Sequence, residues 1–175
     1  MTKQEYDLDP VDWITIDAIG QPGARTFYIQ GRMAEKTVTV ILEKIQVQTL
    51  CVGAEQFLLE VAQKFPGVTP YGADYAEESM HIQPPVDPVF RAGEIGLSYD
   101  SDEDKAIIVI REVLTNQASE EEVGEVRYWC TRSQLAAISK WGVELTSRGR
   151  PICPQCGEPM DPSGHLCPKK NGHKK

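Results

Sequence analysis

The sequence predicts an α+β fold: an antiparallel sheet built from two hairpin-plus-helix blocks, followed by a small cysteine-rich segment. Three observations carry this reading. β-Branched and aromatic runs recur between turn signals in residues 11–43 and again in 90–130. Each group of runs is followed by apolar residues at helical spacing. Residues 151–175 hold three cysteines and two histidines but few apolar side chains.

The elements follow in order. Residues 11–19 (Val-Asp-Trp-Ile-Thr-Ile-Asp-Ala-Ile) alternate partly and predict a strand, closed by a turn at Gly20-Gln-Pro-Gly23. Arg25 to Gln30 is aromatic and β-branched, a second strand. After a connection over 31–35, Lys36-Thr-Val-Thr-Val-Ile-Leu-Glu43 is a third. Val47, Leu50, Ala54, Phe57, Leu58, Val61 and Phe65 then share one helical face, and Pro66-Gly67 ends that helix. Residues 66–89 contain five prolines and read as an irregular segment, either packed over the sheet or acting as a mobile flap. Phe90 to Tyr99 predicts a strand with a glycine bulge, and Asp100 to Asp104 an acidic turn. Lys105 to Leu114 encloses the apolar run Ala-Ile-Ile-Val-Ile, a central strand. An acidic loop over 115–123 leads to a strand at Glu125 to Cys130. Thr131-Arg-Ser-Gln134 has the spacing of a capping box and opens a helix through Leu135, Ile138 and Trp141. Blocks 11–65 and 90–146 thus share one order of elements, a weak internal duplication. The expected division is an α+β body over 1–150 and a knuckle with a basic tail over 151–175.

Composition narrows the function classes. A chain of 175 residues with 41% hydrophobic content suits one body of ordinary size plus an appendage. No run of eighteen apolar residues offers a membrane span. The first ten residues lack the apolar core of a secretion signal, so a cytoplasmic location with reduced cysteines is expected. Cys51 and Cys130 sit among apolar residues and read as buried small hydrophobes. The formal net charge is −8, but residues 151–175 carry four lysines against Glu158 and Asp161, which leaves the body at −10. An acidic body repels phosphate backbones, so broad nucleic-acid binding is not expected.

The C-terminal segment carries the strongest chemical signal. Cys153 and Cys156 are separated by two residues, and His165 and Cys167 return after a short excursion. Such spacing sets three thiolates and one imidazole around a tetrahedral ion, with metal–ligand bonds of about 2.0–2.3 Å. The fourth ligand is His165 or His173. His165 is held close to Cys167 by a Pro-x-Gly-His turn, whereas His173 lies beyond Lys-Lys-Asn-Gly and would lose more entropy on ordering. His165 is therefore the preferred ligand. With only Ile152, Met160 and Leu166 to bury, the segment must draw its folding energy from the ion. The expected cofactor is one structural zinc. A redox Cys-x-x-Cys would normally open a helix, and here proline and glycine surround the pair.

Together with Gly23 to Gln30, Phe90 to Asp100 and Val126 to Gln134, the string from Gly149 to Gly172 resembles an uncharacterised bacterial family, domain-of-unknown-function family 3090. The resemblance spans nearly the whole chain. It implies a Cys-x-x-Cys and Gly-His-x-Cys-Pro pattern that falls on Cys153, Cys156, His165 and Cys167. Family members commonly have tyrosine at the position of His173 and arginine at Lys169. The resemblance implies no established activity. Genes of the family often stand beside a histidine-phosphatase-like and a phosphatidylinositol-kinase-like protein, which implies a phosphate-linked pathway or a shared complex, with a protein partner of one of those kinds.

Other features are weaker. Arg25, Arg32, Arg91, Arg127 and Arg132 lie in or beside predicted strands and are candidate anion-binding residues if one sheet face gathers them. Asp100-x-Asp102-x-Asp104 begins like a calcium loop, but Lys105 and Arg111 stand where glycine and glutamate are required. His81 is a candidate general base or simply a surface histidine. No nucleophile elbow, phosphate-binding loop or His-Glu-x-x-His motif is present, although many active sites leave no local motif. The expected role is a non-catalytic protein-interaction module. The alternatives are an enzyme or small-ligand binder of phosphate-linked chemistry, and, more weakly, nucleic-acid binding through the knuckle and tail.

Overall fold

The computed structural model describes residues 3–160 and 164–169. Its seven strands are β1 (Glu5–Leu8), β2 (Trp13–Ile19), β3 (Thr26–Met33), β4 (Lys36–Leu42), β5 (Pro88–Asp100), β6 (Lys105–Glu112) and β7 (Glu125–Cys130). Its two long helices are α1 (Lys44–Lys64) and α2 (Arg132–Ser147). The expected α+β class holds, and each block is three strands followed by a helix. The sheet runs β1-β7-β6-β5-β4-β3-β2.

The expected sheet was antiparallel. Four neighbouring pairs are, while β4/β5 and β1/β7 are parallel. The β4/β5 pair is parallel because α1 carries the chain back across the sheet, so β5 starts in the direction β4 ran. β1 was not expected: its four residues alternate polar and apolar, but the run is short and half acidic.

The two ends of the sheet meet. Val11 N–H donates to Trp129 O on β7 at 2.9 Å, and the next residue, Asp12, donates to Arg32 O on β3 at 2.7 Å. One extended stretch therefore serves β7 with its first half and β3 with its second, curling the sheet toward a closed barrel. Ile29, Val40, Ile108, Ile110, Val126 and Tyr128 are fully buried in the resulting core. The glycine bulge in β5 is present: register shifts between Ala92 and Ile95, and a β-carbon at Gly93 would come within 2.8 Å of Val113 Cα.

The helices pack against one another and against the sheet. α1 buries Val47, Leu50, Cys51, Ala54, Leu58 and Val61, which includes most of the predicted stripe. Phe57 and Phe65 are only partly covered. α2 opens on the predicted capping box, with Thr131 Oγ1 accepting from Gln134 N–H at 3.0 Å and Gln134 Oε1 accepting from Thr131 N–H at 2.9 Å. Trp141 is fully buried and donates to Ile16 O, tying α2 to β2. Cys51 and Cys130 are buried free thiols, both pushed up to about 12 by burial.

The segment after α1 is packed, not a free flap. A short 3-10 turn at Glu77–Met80 buries Met80. Gln30, buried on β3, donates to Gln83 O and accepts from Gln83 N–H. Asp17 on β2 accepts from Ile82 N–H, and Trp13 donates to Ser79 O.

Candidate metal centre

The centre begins with the local geometry of residues 151–160. Cys153 N–H donates to Glu158 O and Gly157 N–H donates to Cys153 O, both at 2.9 Å. Ile152 bridges Pro159, and Met160 N–H donates to Pro151 O. Together these bonds fold the chain into a tight knuckle. Gly157 sits at φ +75°, where a side chain would be strained, and this lets the turn close behind Cys156. Gly164, at φ +134°, precedes His165 in the same way.

These turns bring Cys153, Cys156, His165 and Cys167 together, with all four ligand atoms within 4.8 Å of one another. The sulfurs of Cys153 and Cys167 are 3.8 Å apart. That separation is well beyond the roughly 2.05 Å of a disulfide. It matches the edge of a tetrahedron with metal–sulfur bonds of about 2.3 Å, which is ~3.8 Å. Cys156 Sγ lies 3.3 Å from His165 Nε2, so Nε2 is the nitrogen turned to the cluster. Cys153 and Cys167 are buried, and Cys156 and His165 are partly exposed.

Two of the clustered thiols are shifted in opposite directions. Backbone N–H groups of Cys156 and Gln155 lower the Cys153 thiol to about 6. At Cys156 the Glu158 backbone N–H also lowers the value, but burial and the two neighbouring cysteines outweigh it, and the thiol ends above its ordinary value. Three thiolates this close repel one another unless a positive ion sits between them. A donor set of three sulfurs and one imidazole suits a soft or borderline divalent ion, and these four side chains can hold one. His173 and the lysines at 170, 174 and 175 lie outside the described residues.

The candidate anion-binding arginines do not form a shared site. Arg25 donates to Leu145 O, and Arg32 to Gln83 Oε1. Arg91 pairs with Glu43, Arg127 with Glu125, and Arg132 with Asp104. Among the described residues no two of the five share a partner. Arg91, Arg127 and Arg132 are each used where they stand because the acidic body offers a carboxylate beside them. His81 is half-exposed, with Nδ1 3.4 Å from Asp17 Oδ2 and its ring edge-on to Trp141. The Asp17 carboxylate is occupied by the backbone N–H groups of Ala18 and Ile82, so the pair anchors the loop.

Sequence reasoning missed that anchor. Thr15, Asp17, Gln30 and Thr39 are buried polar groups on adjacent strands beneath residues 79–83. A signal was available: Thr15 and Asp17 alternate with the core residues Ile14 and Ile16, so they mark a second, polar face that must be covered.

Comparison with known families decides the relationship. The model of the family described as a protein of unknown function (DUF3090) matches residues 6–167. The chain belongs to the DUF3090 family. No curated protein and no solved structure matches it. The DUF3090 match spans both three-strand blocks and all four clustered side chains, and it ends on Cys167. No helix among the described residues is long and apolar enough to cross a membrane.

Proposed function

We propose that this DUF3090 protein binds one structural zinc ion through Cys153, Cys156, His165 and Cys167, and that the knuckle so formed is a protein-interaction module. Zinc is the usual occupant of a tetrahedral site with three cysteines and one histidine, and four protein ligands leave no open position for activating water. The observation that carries the interaction role is the exposure of the knuckle's own apolar side chains. Ile152 is 60% exposed and Leu166 is 85% exposed. In a segment so poor in apolar residues, leaving two of them in solvent makes sense if a partner covers them. A cytoplasmic location fits the reduced thiols at Cys51 and Cys130.

Affinity capture tests this reading. The full-length protein should retain a specific protein partner, and Ile152→Asp with Leu166→Asp should lose it while keeping the metal. A partner retained equally by that variant, or no partner at all, contradicts the interaction role. A phosphatase-like or kinase-like partner would agree with the gene neighbours that the family resemblance implies.

A further inference from the structure

We propose that a second site, at the junction of the body and the knuckle, binds a phosphate-type oxyanion through Arg25 and Lys44. A pocket of about 280 Å³ opens there between the start of β3, the start of α1 and the segment that follows α2. Three cationic residues line it, Arg25, Lys44 and Arg150, and none of its described lining residues is acidic. The chain as a whole carries −8, so this grouping runs against its composition.

Two glycines make the convergence possible. Lys44 Nζ lies 2.9 Å and Arg25 Nη2 3.5 Å from the position a β-carbon would take at Gly149. Any side chain there would fill the space between the two cations. Gly23, at φ +89°, has the Arg150 side chain 2.7 Å from its own β-carbon position. Gly149 thus lets the two cations converge on its backbone, and Gly23 lets the Arg150 side chain pack against the turn.

A structural role alone does not account for the charge. Arg25 Nη1 donates to Leu145 O at 3.1 Å and so caps the end of α2. A helix C-terminus offers the equivalent of about half a negative charge, which leaves Arg25 and Lys44 with a positive surplus. Glu43 stands next to Lys44 in the chain, but its carboxylate is turned to Arg91 at 2.9 Å. Lys44 has no ion pair among the described residues. Two cations held beside one small opening repel one another, and an oxyanion between them relieves that repulsion while accepting charge-assisted hydrogen bonds. Two cations at one small opening suit a single phosphoryl group, and a pocket of about 280 Å³ has room for free phosphate or for the phosphoryl end of a small ester.

The test is calorimetric titration of the full-length protein, at low salt in a phosphate-free buffer, with inorganic phosphate and with glycerol phosphate. Saturable binding of phosphate is expected. Lys44→Gln should weaken it about tenfold or more, the loss expected for one charge-assisted contact. Arg25→Gln should do the same, while Arg127→Gln, paired with Glu125 on β7, should leave it unchanged. Lys44 is exposed, so its variant keeps the test independent of the structural role of Arg25. Tighter binding of glycerol phosphate assigns the site to small phosphate esters, and equal or weaker binding assigns it to the free ion. Failure of the wild type to bind either compound, or wild-type affinity in Lys44→Gln, overturns the proposal.

Discussion

The ring of Tyr128 on β7 occupies the space that a side chain at Gly31 on β3 would need. Its Cδ1 and Cε1 lie 2.5 and 2.6 Å from that β-carbon position, and its hydroxyl donates to Val38 O on β4 at 2.9 Å. Strands far apart in the sheet order therefore touch through one buried residue, which locks the curled sheet. Gly31→Ala is expected to destabilise the protein by about 2–3 kcal/mol, because a fully buried aromatic ring has little room to retreat. Tyr128→Phe keeps the ring and should cost only about 1 kcal/mol for the lost hydrogen bond. Denaturant unfolding followed by tryptophan fluorescence measures both.

The helices meet by the same device. A β-carbon at Gly142 on α2 would overlap Cys51 Sγ on α1. Gly142→Ala should therefore destabilise by about 1–3 kcal/mol, although alanine is the better helix former. Cys51→Ala removes the obstructing sulfur. The double variant should lose clearly less stability than the two single losses combined, and strict additivity in that cycle would refute the contact.

Asp104 and Arg132 join the β5–β6 turn to the first turn of α2. Arg132 is buried and donates through Nε at 2.7 Å and Nη2 at 2.9 Å to the two carboxylate oxygens. The guanidinium holds the Asp104 carboxyl below its ordinary value, against the opposing effect of burial. A carboxyl lowered in the folded state stabilises at pH values above its unfolded pKa of about 3.9, and that contribution fades as pH falls through the folded value. The carboxylate is 42% exposed and so partly screened by solvent; Asp104→Asn should thus lower stability by no more than about 1 kcal/mol at pH 7, with the gap to wild type constant down to about pH 5 and narrowing below pH 4. Thermal unfolding across that range checks it.

Much of this architecture was legible because it rests on local patterns. The apolar stripe of α1, the Thr131–Gln134 box and the Gly93 bulge each follow from residue spacing. The Cys153, Cys156, His165 and Cys167 grouping was readable because ligands near in sequence need only a tight turn to meet. What was not legible depends on long-range pairing. β1 gains its place only because β7 lies beside it, and the Val11 and Asp12 backbone bonds that curl the sheet involve no side-chain signal. The arginines look alike in sequence, and only the fold shows that each has its own partner.

Metal affinity should fall steeply with acidification. Coordinating sulfurs must be thiolates, so binding releases protons. With Cys153 lowered to about 6 and Cys156 raised above its ordinary value, apparent affinity should rise with pH through neutrality and be weakest below pH 6. Competition with a chromogenic chelator at several pH values measures this.

Stripping the ion, or replacing Cys153 with serine, should disorder the knuckle while the body keeps its cooperative unfolding. The body's core residues, among them Ile29, Ile108 and Trp141, form one cluster that includes none of the four metal-site side chains. Hydrogen exchange should show protection lost at 152–160 and retained in β6 and β7.

Metal content per chain is the most direct measurement. Wild type and His173→Ala should each carry one zinc ion, while Cys153→Ser, Cys167→Ser and His165→Ala carry markedly less. A wild-type protein purified without metal and unable to take up zinc, or equal loss in His165→Ala and His173→Ala, would contradict the assignment of these four side chains.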